Sequence, residues 1–417
     1  MDFIIVGTGL AGLHCAMKLS QKYPKKKILL LESYTSPGGR VATVHKSLKK
    51  ESKKKDIQWE AGAGRIPTSH PLISSYCDRY KLTRFPISSE SLYADSKGLN
   101  VNVWHTIVKV IQSLLSKVPK ESLGYYTVEE ILRKYLHKEV VDDFLSYFPY
   151  RSEMITMRAD LAFSTEFSKD ETFYGIKEGL SAITDGMLNE LIARGVTVLY
   201  EHKVTGVNST KSFPMELTVR TPFDLRIFKA QKIIFAVHAN ALRKIHPFSR
   251  YPILNHLAMT PLYRIYSIFP KVQKQVWFEG MPRIVTRNPL RHIIPIRADT
   301  GLIMTSYTDA DDTEVWHAFS KNKDALNKEL VNQLQTLFPS KMIPMPTHTS
   351  THYWEDGCTY WKPGSYDPAK ESKAIMRPLT HLPDVYVCGE SYSLKQAWME
   401  GALEHADALI HHYFHRF

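Results

Sequence analysis

The sequence predicts an α/β fold with two domains, the first Rossmann-like and the second of mixed α+β composition. Two apolar runs near the N-terminus, Phe3–Val6 and Ile28–Leu31, predict strands joined by a helix. A glycine-rich turn follows the first run, and Glu32 follows the second. The length of 417 residues and the hydrophobic share of 43% are sufficient for two separate cores.

The first turn has the spacing of a dinucleotide-binding fingerprint, G-x-G-x-x-G, formed by Gly7, Gly9 and Gly12. Glycines at these places permit a tight turn and let the backbone approach a pyrophosphate at the N-terminus of the following helix. Glu32 lies twenty residues after Gly12, where a carboxylate accepts hydrogen bonds from a ribose. Strand, helix, strand and acid together predict a bound dinucleotide.

A second glycine-rich turn, residues 37–40, begins shortly after Glu32. Gly38 and Gly39 let the backbone approach a cofactor, and Arg40 carries a planar fork of donors suited to phosphate. A Gly-Gly-Arg turn at this place resembles the flavin amine oxidase superfamily, which includes monoamine oxidases and L-amino-acid oxidases. The resemblance implies that the dinucleotide is FAD.

The C-terminal part resembles the closing motif of the same superfamily. A strand-like run ends in Gly389 and Glu390, and a helical segment then begins with Trp398, Met399 and Gly401. The resemblance implies that the Gly-Glu pair contacts FAD and that the helix N-terminus lies under the flavin ring. Backbone N–H groups at such a place stabilise negative charge.

The middle of the chain, residues 177–207, resembles a third FAD-contacting segment, in which the residue matching Val204 contacts the adenine side through its backbone. The order of the motifs implies a discontinuous FAD-binding Rossmann-like domain with an α+β substrate-binding domain. The expected FAD-binding domain comprises residues 1–68, 171–245 and 353–417. The expected substrate-binding domain comprises residues 69–170 and 246–352.

The expected substrate-binding domain combines helical and strand patterns. Apolar periodicity predicts helices over Val103–Leu115, 129–144 and 324–337. Strands are predicted near 263–269 and 302–307.

The net charge of +12 is high for an oxidoreductase, and part of it is local. Six lysines fall within residues 46–55, which we interpret as a solvated loop: Lys46, Lys49, Lys50, Lys53, Lys54 and Lys55. The segment lacks the aromatic platforms of a single-strand reader, so nucleic acid is not an expected partner. The overall positive field favours anionic substrates.

No metal site or disulfide framework is expected. The four cysteines form no C-x-x-C pair, and Cys15 and Cys388 are expected in the core. His411 and His415 have the i, i+4 spacing of metal ligands, but no carboxylate or cysteine set accompanies them. The sequence shows neither a signal peptide nor a run of 18 apolar residues, so a cytoplasmic protein without a membrane anchor is expected.

The substrate class depends on Arg65, in the stretch Gly-Ala-Gly-Arg-Ile-Pro. The stretch resembles the Gly-x-Met-Arg-x-Pro of L-amino-acid oxidases and tryptophan monooxygenases, with Gly64 in place of methionine. The resemblance implies that Arg65 binds the substrate carboxylate, for which a planar guanidinium is well suited. The alternative is that Arg65 pairs with an internal acid or a flavin phosphate.

Two aromatic positions are candidates for the walls of the substrate pocket. Trp398 matches the aromatic residue beside the flavin in the superfamily, and Tyr360 or Trp361 is a candidate for the opposing wall. Monoamine oxidases carry Gly-Cys-Tyr near this place, with the cysteine bonded to the flavin. This chain has Gly-Cys-Thr, so we expect Cys358 to be a pocket thiol and the flavin to be non-covalent.

One position departs from the superfamily pattern. A lysine over the flavin usually holds a water at N5, and strand alignment places Arg264 there. Arginine cannot lose its proton and its head group is larger. We therefore expect the substrate to reduce the flavin faster than oxygen reoxidises it.

The resemblance implies an FAD-dependent oxidoreductase that oxidises the C–N bond of a primary amine, most simply an L-amino acid. Hydride transfer to flavin N5 gives an imine that water hydrolyses, and oxygen is the expected acceptor. The alternatives are a monoamine or polyamine oxidase, a C–C desaturase on the same fold, or a non-catalytic flavoprotein.

Overall fold

The structure of the protein, a computed structural model, describes residues 1–50, 53–88, 90–95, 98–100, 103–148, 150–166, 171–209 and 215–414. These residues form two compact units. Unit 1 comprises Met1–Ser88, Glu171–Met259 and Tyr366–Phe417, and unit 2 comprises Ser89–Asp170 and Thr260–Ser365.

The described residues contain twenty strands. They are β1 Phe3–Val6, β2 Ile28–Leu31, β3 Thr43–Lys50, β4 Lys53–Glu60, β5 Ile66–Pro67, β6 Arg84–Ile87, β7 Ser91–Asp95, β8 Gly98–Asn100, β9 Phe173–Ile176, β10 Thr197–Leu199, β11 Lys203–Asn208, β12 Met215–Arg220, β13 Leu225–Ala230, β14 Lys232–Phe235, β15 Leu257–Ile268, β16 Arg283–Thr286, β17 His292–Arg297, β18 Leu302–Asp309, β19 His348–Trp361 and β20 Val385–Val387.

Fourteen α-helices and three short 3₁₀ segments complete the secondary structure of the described residues. The helices are α1 Leu10–Lys22, α2 Pro71–Arg79, α3 Val103–Leu115, α4 Lys120–Leu123, α5 Val128–Tyr135, α6 Lys138–Tyr147, α7 Arg151–Ile155, α8 Ala159–Glu166, α9 Ser181–Ala193, α10 Ala239–Arg243, α11 Asp312–His317, α12 Lys323–Leu337, α13 Pro368–Ala374 and α14 Met399–Tyr413. The 3₁₀ segments are Phe248–Arg250, Pro252–His256 and Glu390–Tyr392.

Unit 1 is built on a parallel five-stranded sheet with the order β10-β2-β1-β14-β20. The strands β1 and β2 have the predicted bounds and are completely buried, because every one of their side chains is apolar. The helix α1 between them buries an apolar face that includes Leu13, Ala16 and Met17, and it packs against α9 and α14. This arrangement brings the carboxyl end of β1 and the N-terminus of α1 to one edge of the sheet.

Two smaller sheets and a hairpin complete unit 1. Their strand orders are β11-β12-β13, β5-β9-β6 and β3-β4. The sheet β5-β9-β6 joins a segment near residue 66 to one near residue 173 through the register Ile66↔Tyr174. Chain segments that are more than a hundred positions apart therefore meet in this small sheet.

Unit 2 is built on a seven-stranded sheet with the order β19-β15-β18-β17-β16-β7-β8. Its apolar core includes the buried leucine stripe of α12, formed by Leu326, Leu330, Leu334 and Leu337. The predicted helix Val103–Leu115 is confirmed as α3. The strands and helix predicted near 263–269, 302–307 and 324–337 are confirmed as β15, β18 and α12.

Two predictions of local structure are wrong. The helix predicted over 129–144 is divided into α5 and α6, because Leu136 and His137 have extended backbone with ψ near 151°. The apolar periodicity did not reveal this break, since both helices bury apolar side chains. The lysine-rich segment is not a loop, because β3 and β4 form a hairpin as far as the pair Lys50↔Lys53.

Candidate functional site

The first glycine-rich turn leaves no room for side chains at two of its three glycines. A Cβ atom on Gly12 would lie 2.0 Å from the carbonyl oxygen of Gly7. Gly7 itself has a φ of +103°, and its Cβ would lie 2.5 Å from the carbonyl oxygen of Ala236. The protein's own packing therefore requires glycine at both places.

Gly9 is different, because the fold itself leaves space beside it. A Cβ on Gly9 would meet no heavy atom closer than the Gly38 oxygen at 3.9 Å. Gly9 is the N-cap of α1 and, in the described structure, no side chain caps that helix. The N–H groups of the first turn and the space beside Gly9 together fit a pyrophosphate that approaches the backbone closely.

Glu32 organises the end of β2 next to this turn. Its buried carboxylate accepts hydrogen bonds from the N–H and the hydroxyl of Thr8, at 2.9 and 2.7 Å. Its other oxygen accepts from the Tyr34 N–H at 3.0 Å and the Ser33 hydroxyl at 3.2 Å. Glu32 therefore fixes the turn and the start of the next loop as well as being the predicted ribose ligand.

The second glycine-rich turn lies against the first. The Gly38 N–H donates to the Thr8 oxygen at 3.0 Å, and Gly39, with a φ of +59°, has its hypothetical Cβ 3.7 Å from the Gly9 Cα. Arg40 forms an ion pair with Glu390 at 2.7 Å. The structure thus brings together predicted cofactor residues that are 350 positions apart in the sequence.

The C-terminal motif is held by hydrogen bonds from its backbone N–H groups to side chains. The Gly389 N–H donates to His405 Nδ1 at 3.3 Å, and the Ala397 N–H donates to Glu390 Oε1 at 2.6 Å. Ala397 has a φ of +63°, which is unusual for a residue with a side chain. This turn ends at Trp398, the N-cap of α14.

The first turn of α14 is closely packed. Met399 is buried, and a Cβ on Gly401 would lie 1.9 Å from the Lys395 oxygen, so Gly401 is required by packing. Val204 lies elsewhere in unit 1, in β11, where it is buried and pairs with Val219.

We call the backbone surface formed by Gly7, Gly9, Gly12, Gly39 and Gly389 the glycine cradle. Four of these residues have a positive φ or no room for a Cβ, and Gly9 has unused space. The cradle, the uncapped α1 N-terminus and the Glu32 carboxylate present the donors and acceptor that a dinucleotide needs.

Arg65 lies in a group of aromatic side chains of unit 1. Its guanidinium carbon is 4.0 Å from the centre of the Phe173 ring and 5.7 Å from that of Trp398. Phe173 and Trp398 are nearly parallel, with ring centres 6.1 Å apart. These cation–π contacts hold a half-buried cation beside the N-terminus of α14.

His70 belongs to the same group and was not selected from the sequence. Its ring meets Trp398 edge-on, with centres 5.4 Å apart. Burial, assisted by the positive charge of Lys395 and opposed by Glu171, lowers the pKa of His70 to about 4. A neutral imidazole therefore borders Trp398 at neutral pH.

Glu400 was also missed, although it connects two parts of the site. Its buried carboxylate accepts from the N–H groups of Leu72 and Ile73, at 2.8 and 2.9 Å, and so caps the first turn of α2. Burial raises the pKa of Glu400. The only sequence signal was an acid in the first turn of α14. By itself this position predicts only a favourable interaction between the carboxylate and the helix dipole.

In unit 2, Arg264 is a buried residue of β15. Its guanidinium carbon lies 4.5 Å from the centre of the Tyr307 ring. Burial opposes the charged form, but the interactions with Tyr307 and Tyr266 outweigh it and raise the pKa of Arg264. Tyr150 also raises the pKa of Arg264. We call Arg264, Tyr150, Tyr266 and Tyr307 the tyrosine cluster.

Tyr360 is buried within β19, and its hydroxyl accepts a hydrogen bond from Ser152 at 3.3 Å. Burial raises the pKa of Tyr360 well above its usual value. The adjacent Trp361 is completely buried, while Cys358 is half-buried.

Two further findings concern the part of the chain that the structure describes. No group of three or more possible metal ligands lies together there, and His415 falls outside the described residues. Within the same residues, no helix is both long and apolar enough to cross a membrane.

The glycine cradle and its neighbouring acid have the geometry expected of a dinucleotide-binding site. The sequence model of the family described as flavin-containing amine oxidoreductase matches residues 10–171 and 140–408. The chain belongs to this family, and FAD is therefore its cofactor. The resemblance and the cofactor predicted from the sequence are confirmed, and the mixed α/β architecture agrees with them.

Two relatives align over almost the whole chain. An uncharacterised protein of Acanthamoeba polyphaga mimivirus is 23% identical to this chain. The alignment covers 99% of this chain and 94% of the relative. A putative L-amino-acid oxidase of Bacillus subtilis (strain 168) is 21% identical, with 96% of this chain and 92% of the relative aligned.

Proposed function

We propose that the protein oxidises the C–N bond of an L-amino acid, with oxygen as the electron acceptor. The observation that carries the proposal is Arg65, whose cation lies over Phe173 and near Trp398. A half-buried guanidinium over aromatic rings has donors suited to a substrate carboxylate. The name of the Bacillus relative, a putative L-amino-acid oxidase, supports the same substrate class.

We assign FAD binding to unit 1, which also carries Arg65, Phe173 and Trp398. The predicted ligands of FAD remain Gly7, Gly9, Gly12, Glu32, Gly39, Arg40, Val204, Gly389, Glu390, Trp398, Met399 and Gly401. Bound FAD supplies the two-electron acceptor for amine oxidation. The chain's own residues supply the substrate contacts and the electrostatic environment.

In this proposal Arg65 binds the carboxylate of the amino acid through paired charge-assisted hydrogen bonds. Trp398 and Phe173 provide apolar surface that excludes water from the amine. A less hydrated amine loses its proton more readily, and the neutral amine is the oxidisable form. His70, which is neutral near pH 7, adds no positive charge that would repel an ammonium substrate.

Replacement of Arg65 tests the proposal. Arg65→Met should lower kcat/KM for an L-amino acid by a factor corresponding to about 2–5 kcal/mol, the cost of removing one side of a buried charge pair. Oxidation of the matching decarboxylated amine should be spared. The measurement is anaerobic reduction of the flavin by each substrate.

Arg84→Met is the matched control, because Arg84 also lies over an aromatic ring, 4.9 Å from the centre of Tyr174 in the same unit. This variant should keep the wild-type preference for the amino acid. An equal loss for both substrates in Arg65→Met, or loss of FAD, would assign Arg65 a structural role instead.

A further inference from the structure

Two cysteine side chains meet in the core of unit 1. Cys15 lies in α1, and Cys388 directly follows β20. The two residues are 373 positions apart in the sequence. Their sulfur atoms are 3.6 Å apart, and neither side chain is exposed to solvent. Neither takes part in a disulfide.

The pair lies directly behind the glycine cradle. Cys15 is one helical turn beyond Gly12, and Cys388 precedes Gly389. Both cysteines belong to the apolar core that also contains Leu403 and Ala406 of α14. The thiol pair therefore connects the two chain segments that carry Gly12 and Gly389.

The environment keeps the thiols unreactive while the core is closed. The hydrogen bond to Cys388, together with burial, raises the pKa of the Cys15 thiol well above its usual value. A thiol in this state is a poor nucleophile. Reaction with a dissolved oxidant requires a local opening of the contact between α1 and the end of β20.

We propose that Cys15 and Cys388 are an oxidative crosslinking site, at which hydrogen peroxide forms a disulfide that ties the two halves of the glycine cradle together. In the first step one thiol loses its proton and its thiolate sulfur attacks peroxide; the O–O bond breaks, and a sulfenic acid and hydroxide form, the hydroxide taking up the lost proton to give water. The second thiol then attacks the sulfenic sulfur, the S–O bond breaks, and a second water leaves. Two thiols and one peroxide give one disulfide and two waters.

Disulfide formation requires the two sulfur atoms to move closer together. A disulfide has an S–S distance of about 2.05 Å, so the sulfur atoms must approach by roughly 1.5 Å from their observed contact. Once formed, the bond prevents α1 from separating from the Gly389 segment. Bound FAD should then dissociate more slowly, because its release no longer benefits from opening of the cradle.

The experiment uses the FAD-loaded full-length protein with Cys358→Ser, which removes the half-buried thiol. Before treatment three thiols should react with a thiol reagent in denaturant, and after hydrogen peroxide only one. Non-reducing peptide mapping should join the peptides of Cys15 and Cys388. Protein depleted of FAD should crosslink several-fold faster, since bound FAD disfavours opening.

The second readout is FAD release after dilution. The crosslinked protein should release FAD at least threefold more slowly than the untreated protein, and a thiol reductant should reverse the effect. Adding Cys15→Ser should abolish both the crosslink and the slower release, whereas adding Cys77→Ser should preserve them, because Cys77 is also buried but belongs to α2.

Three results would overturn the proposal. They are retention of all three thiols after peroxide, a crosslink that involves Cys77, or an unchanged rate of FAD release in protein with the Cys15–Cys388 bond. Substrate oxidation is not measured, so the result is independent of the amino-acid oxidase assignment.

Discussion

The glycine cradle of unit 1 is formed by backbone atoms, whereas the tyrosine cluster of unit 2 is formed by side chains. In the cradle the backbone forms the surface, and side chains are excluded by contacts such as the 2.0 Å approach at Gly12. In the cluster the side chains form the structure, with the Arg264 cation 4.5 Å from the ring centre of Tyr307. A backbone surface depends on glycines that leave room, whereas a side-chain cluster depends on the identity of each charged or aromatic residue.

The largest expected effect is a difference between Gly12, which has no room for a Cβ, and Gly9, which has room for one. Gly12→Ala should destabilise the folded protein by about 3 kcal/mol, because its Cβ would overlap the Gly7 oxygen. Gly9→Ala should leave the stability of the FAD-free protein within about 0.5 kcal/mol. It should still weaken FAD binding about tenfold or more, or about 1.4 kcal/mol, since its Cβ occupies the space left for the pyrophosphate.

Thermal unfolding of FAD-free protein and FAD titration measure these two quantities. Normal FAD affinity in Gly9→Ala would show that the space beside Gly9 is not used by the cofactor.

The next effect concerns the tyrosine cluster. We expect that substrate reduces the bound flavin faster than oxygen reoxidises it, and that Arg264→Lys speeds reoxidation about tenfold, a change of about 1.4 kcal/mol in the barrier. The reduction rate should change less. Stopped-flow absorbance measures the two half-reactions separately.

Tyr307→Phe serves as the control for Arg264→Lys, because it keeps the guanidinium and the ring but removes the hydroxyl. It should change reoxidation less than Arg264→Lys does. If Arg264→Lys alters neither half-reaction, Arg264 is remote from the flavin.

A pH-dependent effect on stability is expected at histidines from the two regions. Burial lowers the pKa of His405 in unit 1 and of His352 in unit 2 to about 4. The folded protein then binds fewer protons than the unfolded chain, so stability is complete above about pH 6.5 and decreases as the pH falls toward 4. His405 should contribute up to about 1.4 kcal/mol per pH unit in this interval.

Chemical denaturation between pH 4 and pH 7 tests this dependence. His405→Gln should flatten the decrease, while substitution of the exposed His381 by Gln should not. An unchanged slope in His405→Gln would mean that its protonation is not coupled to unfolding.

The smallest expected effect is at Cys358. The flavin should be released into solution when the protein is precipitated with acid, and Cys358→Ser should leave the flavin content unchanged. Yellow colour retained in the precipitate, and lost in Cys358→Ser, would indicate a covalent bond instead.

The sequence predicted local, backbone-determined features well. The bounds of β1 and β2 were correct, because each is an unbroken apolar run with polar or glycine residues at its ends. The division of the helix predicted at 129–144 was not predicted, since the helical period continues through Leu136 and His137 even though their backbone is extended.

Contacts between side chains that are distant in the sequence were harder to predict. Arg65 was selected, but its position over Phe173 depends on pairing between β5 and β9, which lie more than a hundred positions apart. Glu400 caps α2 across 328 positions, and no local pattern indicates such a contact. Clusters of this kind are fixed by the packing of the whole unit.

The most direct test of the proposed function is anaerobic mixing of the purified FAD-loaded protein with L-amino acids and, separately, with the corresponding decarboxylated amines. The account predicts that the flavin absorbance bleaches rapidly with at least one L-amino acid and much more slowly with its amine. Bleaching by amines alone, or by neither class of compound, would contradict it.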